Sequence, residues 1–176
     1  MKNRIILTMC VVSVALLCNA RGASTRATAA AACDVEAYVV DADPKGLNVR
    51  ETPGVNGKVV AVIPLDGDGT TVHIVASSPN GWVQIDRAET VMGAVVFDKK
   101  GWVSGNMLGI ATRGYDGKGV RLYARPQARK ATGKLPSEAE VRVAGCEGNW
   151  MRVKYKSTSG WLDPADQCPS PVTTCN

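Results

Sequence analysis

The chain is 176 residues long and carries 21 Lys and Arg against 16 Asp and Glu, a formal charge of +5, with six cysteines and a single histidine. A charge this small, spread along the chain with no run of Lys or Arg, lacks the clustered basic face that nucleic-acid binding requires. One histidine leaves a metal-dependent amidase short of its ligands, and it is the only imidazole available to activate a Cys or Ser nucleophile.

Met1-Lys2-Asn3-Arg4 precedes an apolar run from Ile5 to Leu17, and Cys18 and Ala20 place small residues at −3 and −1. This pattern predicts a secretory signal peptide over residues 1–20, cut after Ala20. The apolar run falls short of the ~20 residues that a membrane span needs. The expectation is an exported chain, periplasmic or extracellular, with no stable membrane span after cleavage. Leu16-Leu17-Cys18 lacks the small residue usual before a lipidated cysteine, and Ala30-Ala31-Ala32-Cys33 lies well past the apolar region. Lys2 and Arg4 leave with the signal and no acid does, so the charge falls from +5 to +3.

Four cysteines remain: Cys33, Cys146, Cys168 and Cys175. An even number in an exported chain reads as two disulfides, with three possible connectivities. The pairing favoured here is Cys146–Cys168, joining the turn before Trp150 to the end of the strand at Trp161. Cys33–Cys175 would then tie the N-terminal segment to the tail. No Cys-x-x-Cys spacing supports a metal site, and no cofactor is expected.

Residues 21–36, rich in Ala, Thr and Ser through Ala32, read as a disordered leader. A first folded unit is expected over 37–110. Its strands are Ala37–Val40, Leu47–Val49, the apolar run Val59–Ile63, Val72–Val75, Trp82–Ile85 and Gly101–Val103. Asp41–Gly46, Thr52-Pro53-Gly54, Pro64–Gly69 and Ser77–Gly81 are the turns between them. Ala88–Lys100 extends a hairpin, and Asn106-Met107-Leu108 forms a short helical turn or final strand. Asp66-Gly67-Asp68-Gly69 resembles a calcium loop but lacks the full ligand set and closing Glu, so it reads as an acidic turn. A linker over 111–117, a second unit over 118–165 and a Pro/Thr tail over 166–176 complete the chain.

The two units repeat. Gly46-Leu47-Asn48-Val49-Arg50-Glu51-Thr52-Pro53 aligns without a gap on Gly119-Val120-Arg121-Leu122-Tyr123-Ala124-Arg125-Pro126. Ile63-Pro64 matches Leu135-Pro136, and Val72-His73-Ile74-Val75 matches Val141-Arg142-Val143-Ala144. Gly81-Trp82-Val83-Gln84-Ile85 matches Asn149-Trp150-Met151-Arg152-Val153, and Gly101-Trp102-Val103 matches Gly160-Trp161-Leu162. This order of landmarks resembles the bacterial SH3-like (SH3b) domain family, over residues 37–108 and 118–163. The first copy follows the family pattern more closely: in the second, Tyr123 replaces the Arg and Asn149 replaces the Gly before the Trp.

The resemblance implies an all-β protein of two tandem small SH3-like barrels. Barrels this small bury little surface. A disulfide closing a loop in the shorter copy would add ~3 kcal/mol on the loop-entropy account. The family's binding role implies recognition of peptidoglycan peptides or another cell-envelope component. The alternatives are a periplasmic protein–protein adaptor or inhibitor, and an accessory targeting subunit for a separate cell-wall hydrolase. By the same resemblance, Arg50, Trp82 and Trp102 are candidate ligand contacts in the first unit, and Tyr123, Trp150 and Tyr155 in the second. The competing expectation is that each tryptophan fills a barrel core. His73 alternates with apolar residues and is expected on the outer face of a strand. No Gly-x-Ser-x-Gly occurs, and the chain is expected not to be an enzyme.

Overall fold

A computed structural model describes residues 29–65, 69–113 and 117–170. The N-terminal half supplies β1 (Ala31–Val39), β2 (Leu47–Arg50), β3 (Val59–Ile63), β4 (Thr70–Ser77), β5 (Trp82–Thr90), β6 (Val95–Phe97) and β7 (Gly101–Ser104). A 3-10 turn at Gly105–Met107 leads into β8 (Leu108–Thr112), β9 (Val120–Tyr123), β10 (Ala131–Leu135), β11 (Glu140–Glu147), β12 (Trp150–Tyr155) and β13 (Thr158–Leu162). A second 3-10 turn, Pro164–Asp166, precedes β14 (Gln167–Cys168). The architecture is all-β, with one antiparallel sheet. Among the described residues no helix is long and apolar enough to cross a membrane.

The strand order carries the repeat into space. Outward from the middle, the N-terminal half runs β1-β4-β5-β7-β2-β3 and the C-terminal half β8-β11-β12-β13-β9-β10. The halves join where β1 pairs with β8, Tyr38 opposite Gly109 and Val39 opposite Leu108. Alternation drives this arrangement: β2 and β9 each bury two apolar side chains and turn the residues between outward, as period-2 strands with one covered face must. Matched residues fill one continuous core. Val49 and Leu122, Ile63 and Leu135, Ile74 and Val143, Ile85 and Val153, and Val103 and Leu162 are all in it.

Gly46 and Gly119 show how closely the copies share backbone geometry. Both precede the first strand of the matched segment, and both have positive φ, 96° and 69°. A Cβ at Gly46 would collide with the Ile63 carbonyl oxygen, and one at Gly119 with that of Leu135. Glycine is needed at each for space and for conformation.

Several expectations change. Residues 31–36 are not a disordered leader but the first two-thirds of β1, paired with β4 from Ala31 to Tyr38. The favoured disulfide pairing is also overturned: Cys33 bonds to Cys146, with Cα atoms 5.7 Å apart. The reason is register. Hydrogen bonds from Gly148 N to the Ala32 carbonyl and from Asp34 N to the Gly148 carbonyl lay the start of β1 along the β11–β12 turn. The disulfide thus ties the two halves together rather than closing a loop inside the second. Cys168 is disulfide-bonded as well, to a partner outside the described residues, where Cys175 lies.

The linker expected over 111–117 begins inside β8, which is the second half's counterpart of β1. In the repeat, residues 113–119 align with residues 40–46; of these, 114–116 lie outside the described residues. The expected tail is likewise part of the sheet: β14 pairs with β8, Gln167 opposite Thr112. Gln167 is buried and its Nε2 donates to the Asn149 and Leu162 carbonyls. The turn between β7 and β8 and the hairpin over 88–100 form as expected, with Phe97 reaching the core. The signal peptide, the 66–68 part of the acidic turn and the tail from 171 lie outside the described residues.

Candidate functional site

The tryptophans divide. Trp150, 8% exposed, is among the buried hydrophobic residues, whereas Trp82, Trp102 and Trp161 are half-buried; none of the four joins the main core cluster. Strand parity decides this. Val83 and Ile85 point inward from β5, and Val103 from β7, so Trp82 and Trp102 must point out. The aliphatic residues are numerous enough to fill the interior without them.

In the first half, three candidates come together. Trp102 on β7 lies opposite Gln84 on one side and Arg50 on the other. The Arg50 guanidinium carbon stands 5.9 Å from the centroid of the Trp82 ring, a cation–π contact. Its Nη1 donates to the Gly57 carbonyl at 2.6 Å, anchoring the 51–58 loop beside the ring. Asn80 Nδ2 donates to the Pro53 carbonyl at 3.3 Å and holds the same loop from the β4–β5 turn.

The second half repeats the geometry with aromatic rings. Trp161 on β13 lies opposite Arg152 and Tyr123. Tyr123, at the position of Arg50, meets Trp150 edge-on, centroids 5.5 Å apart and planes at 82°, the geometry aromatic quadrupoles favour. Tyr155 is not part of this group. It lies opposite Thr158 at the end of the β12–β13 hairpin, packs against the core, and carries the Lys156 ammonium 5.1 Å from its ring. The five-residue step from Trp150 to Tyr155 places them on opposite faces of the strand. Trp161 takes the place expected of Tyr155. Its signal was in the sequence: it is the repeat partner of Trp102.

A cleft of about 170 Å³ opens beside Trp161 where the halves meet. Ser78 and Pro79 of the first half face Gly145, Glu147, Arg152 and Trp161 of the second. The close approach needs small residues. A Cβ on Gly105 would lie 2.7 Å from the Val143 carbonyl oxygen, and one on Gly145 2.8 Å from Ser77 Oγ.

Two titratable groups sit on the seam side of the sheet. His73 lies on the outward face of β4, with Nδ1 2.8 Å from Asp86 Oδ1 and Nε2 3.0 Å from Asp34 Oδ1. Partial burial of the ring opposes its charge, but the hydrogen bonds to Asp34 and Asp86 and their negative charges prevail, so its pKa is raised. The Tyr38 hydroxyl donates to Glu140 Oε1 at 3.0 Å across the seam. Burial and the adjacent carboxylate push its pKa above the ordinary tyrosine value.

No protein-family model matches the chain, and no curated protein does. Solved structures of two proteins from Trichomonas vaginalis, NlpC2 and NlpC1, are similar at low level. NlpC2 has 15% identity and a TM-score of 0.30, over 75% of this chain and 47% of its own. NlpC1 has 16% identity and a TM-score of 0.32, over 80% and 48%. The chain therefore spans about half the length of each, and likeness at this level decides nothing about function.

The described cysteines Cys33, Cys146 and Cys168 are all held in disulfides, so none offers a thiolate. Both ring nitrogens of His73 are engaged by carboxylates. Among the described residues no cluster of three or more His, Cys, Asp or Glu side chains could hold a metal ion.

Proposed function

We propose that the two halves are tandem SH3-like barrels of an exported, non-catalytic protein that binds the cell envelope, with peptidoglycan peptides as the ligand. The observation that carries this reading is the pair of outward-facing groups at repeat-equivalent positions, Arg50/Trp82/Trp102 and Tyr123/Trp150/Trp161. The half-buried rings of Trp82, Trp102 and Trp161 give a ligand rigid apolar surface with small entropy loss, and buried Trp150 supports Tyr123 from beneath. The junction cleft beside Trp161 adds polar edges for a peptide backbone.

Co-sedimentation of the oxidised chain from Arg21 with purified sacculi tests this. Trp161→Ala should reduce pelleting at high salt while the protein still melts cooperatively. Tyr155→Ala should lower stability and leave pelleting unchanged. Absence of salt-resistant pelleting would end the peptide reading.

A second reading, a periplasmic protein–protein adaptor or inhibitor, is favoured by β3. It ends the sheet, and Val59, Val60 and Val62 are 40–50% exposed along it. An apolar open edge is a template for pairing with another chain. Capture of a single partner from periplasmic extract, lost in Val60→Lys, would favour that reading.

A further inference from the structure

The charge that looks dispersed along the chain is divided between the halves. Residues 29–107 contain six Lys and Arg against ten Asp and Glu, a net −4, whereas residues 108–176 contain eleven against six, a net +5. The fold then sorts the cations further. Arg121, Lys134, Arg142, Arg152 and Lys154 all alternate with core residues, so all five stand exposed on the outer face of the second half. Tyr123 and Trp161 point to the same side, and so does one carboxylate of β11, Glu140, which accepts from the Tyr38 hydroxyl.

The first half serves as an internal control. The repeat-equivalent positions hold Asn48, Val62, His73, Gln84 and Asp86, none of them Lys or Arg. The same strand arrangement forms there without the cations, so folding does not require them. Their placement is unfavourable in itself. Arg121 lies directly opposite Lys134, and Arg142 directly opposite Lys154, and like charges opposed across strands destabilise a sheet. None of the five makes a salt bridge with another described residue.

The geometry points to a polyanion-binding face on the second half, fitted to a glycan chain bearing carboxylate, sulfate or phosphate groups. Cations accept the anionic groups, and sugar rings lie against Trp161 and Tyr123, which share a transverse row with Arg152. The rings beside the cations suit a polymer built of sugar units better than a bare polyphosphate. A lipid surface fits less well. The large exposed apolar side chains of the described residues, from Val55 to Met107, all belong to the first half. This inference goes beyond the peptide reading and does not depend on it, since it rests on the charge division and not on the groove.

The test uses the oxidised chain from Arg21 with polygalacturonate, heparin and phosphomannan as carboxylate, sulfate and phosphate probes, and neutral dextran and single-stranded DNA as comparators. Affinity is measured across a salt series. At least one anionic glycan should bind, dextran should not, and log K should fall linearly with log salt. Arg152→Gln with Lys154→Gln should weaken binding at least tenfold and reduce the salt slope by about 1 per cation removed. Lys99→Gln with Lys100→Gln, the same charge change in the first half, should leave affinity within twofold. Arg142→Gln separates binding from folding: it removes an opposed like-charge pair, so affinity should drop while the melting temperature holds or rises.

Equal losses from the two double variants would overturn the assignment to this face. Tighter binding of single-stranded DNA than of every glycan would overturn the glycan assignment. Retention on sacculi with no binding to any polyanion would overturn this inference alone and leave the peptide reading standing.

Discussion

Replacing both Cys33 and Cys146 by Ser should be the most damaging small change to this molecule. The bond spans a sequence separation of 113. On the loop-entropy account, a closure of that length stabilises by about 4.7 kcal/mol, more than the ~3 kcal/mol of a short loop within the second half. Domains of this size are stable by only about 5–15 kcal/mol, so the variant should be marginal. With a urea m-value of about 2 kcal/mol/M, the unfolding midpoint should fall by roughly 2 M. Tryptophan fluorescence suits the assay, because Trp150 follows the β11–β12 turn where Cys33 attaches. Hydrogen exchange should show the loss beginning at the Ala32–Gly148 and Asp34–Gly148 hydrogen bonds, which only the start of β1 contributes. A midpoint shift under about 0.5 M would refute the reasoning. It would mean that the β1–β8 ladder and the packing at the junction hold the halves together without the disulfide.

The remaining expectations are smaller. His73 has a raised folded-state pKa, so the folded protein binds its proton more tightly than the unfolded chain. That stabilisation is fully present below about pH 6.5 and is lost as pH rises through the folded value. Melting temperatures of the wild type and His73→Gln should therefore differ most at acid pH and converge on the alkaline side; a constant gap would contradict the linkage. Gly46→Ala and Gly119→Ala should each cost upwards of about 1–2 kcal/mol by chemical denaturation. A large loss at one site beside none at the other would break the equivalence of the copies. Tyr38→Phe should cost about 1 kcal/mol at neutral pH, and in a double-mutant cycle with Glu140→Gln the losses should not add.

How much could be read in advance depended on the range of the interaction. Leu47–Val49, Trp82–Ile85 and the turns between strands were legible because alternation and turn chemistry are local. The repeat was legible because both copies solve the same local packing problem, and it contained the information that Trp161 matches Trp102. Strand parity was also in the sequence, and it is what removes Tyr155 from the group around Trp150.

Residue pattern alone was enough to show that the protein is all-β and that it uses one strand arrangement twice. Only the tertiary structure decided what joins the halves. Residues 31–36 follow a leader-like segment, and they become strand because β4 and the Gly148 turn satisfy their backbone. The partner of Cys33 follows from that register and not from cysteine spacing. The charge division has the same origin. Arg121, Lys134, Arg142, Arg152 and Lys154 are separated along the chain, and pairing of β9 with β10 and of β11 with β12 sets Arg121 opposite Lys134 and Arg142 opposite Lys154 on the outer surface. Local patterns set which side of a strand a residue takes; long-range strand pairing sets which residues share that side.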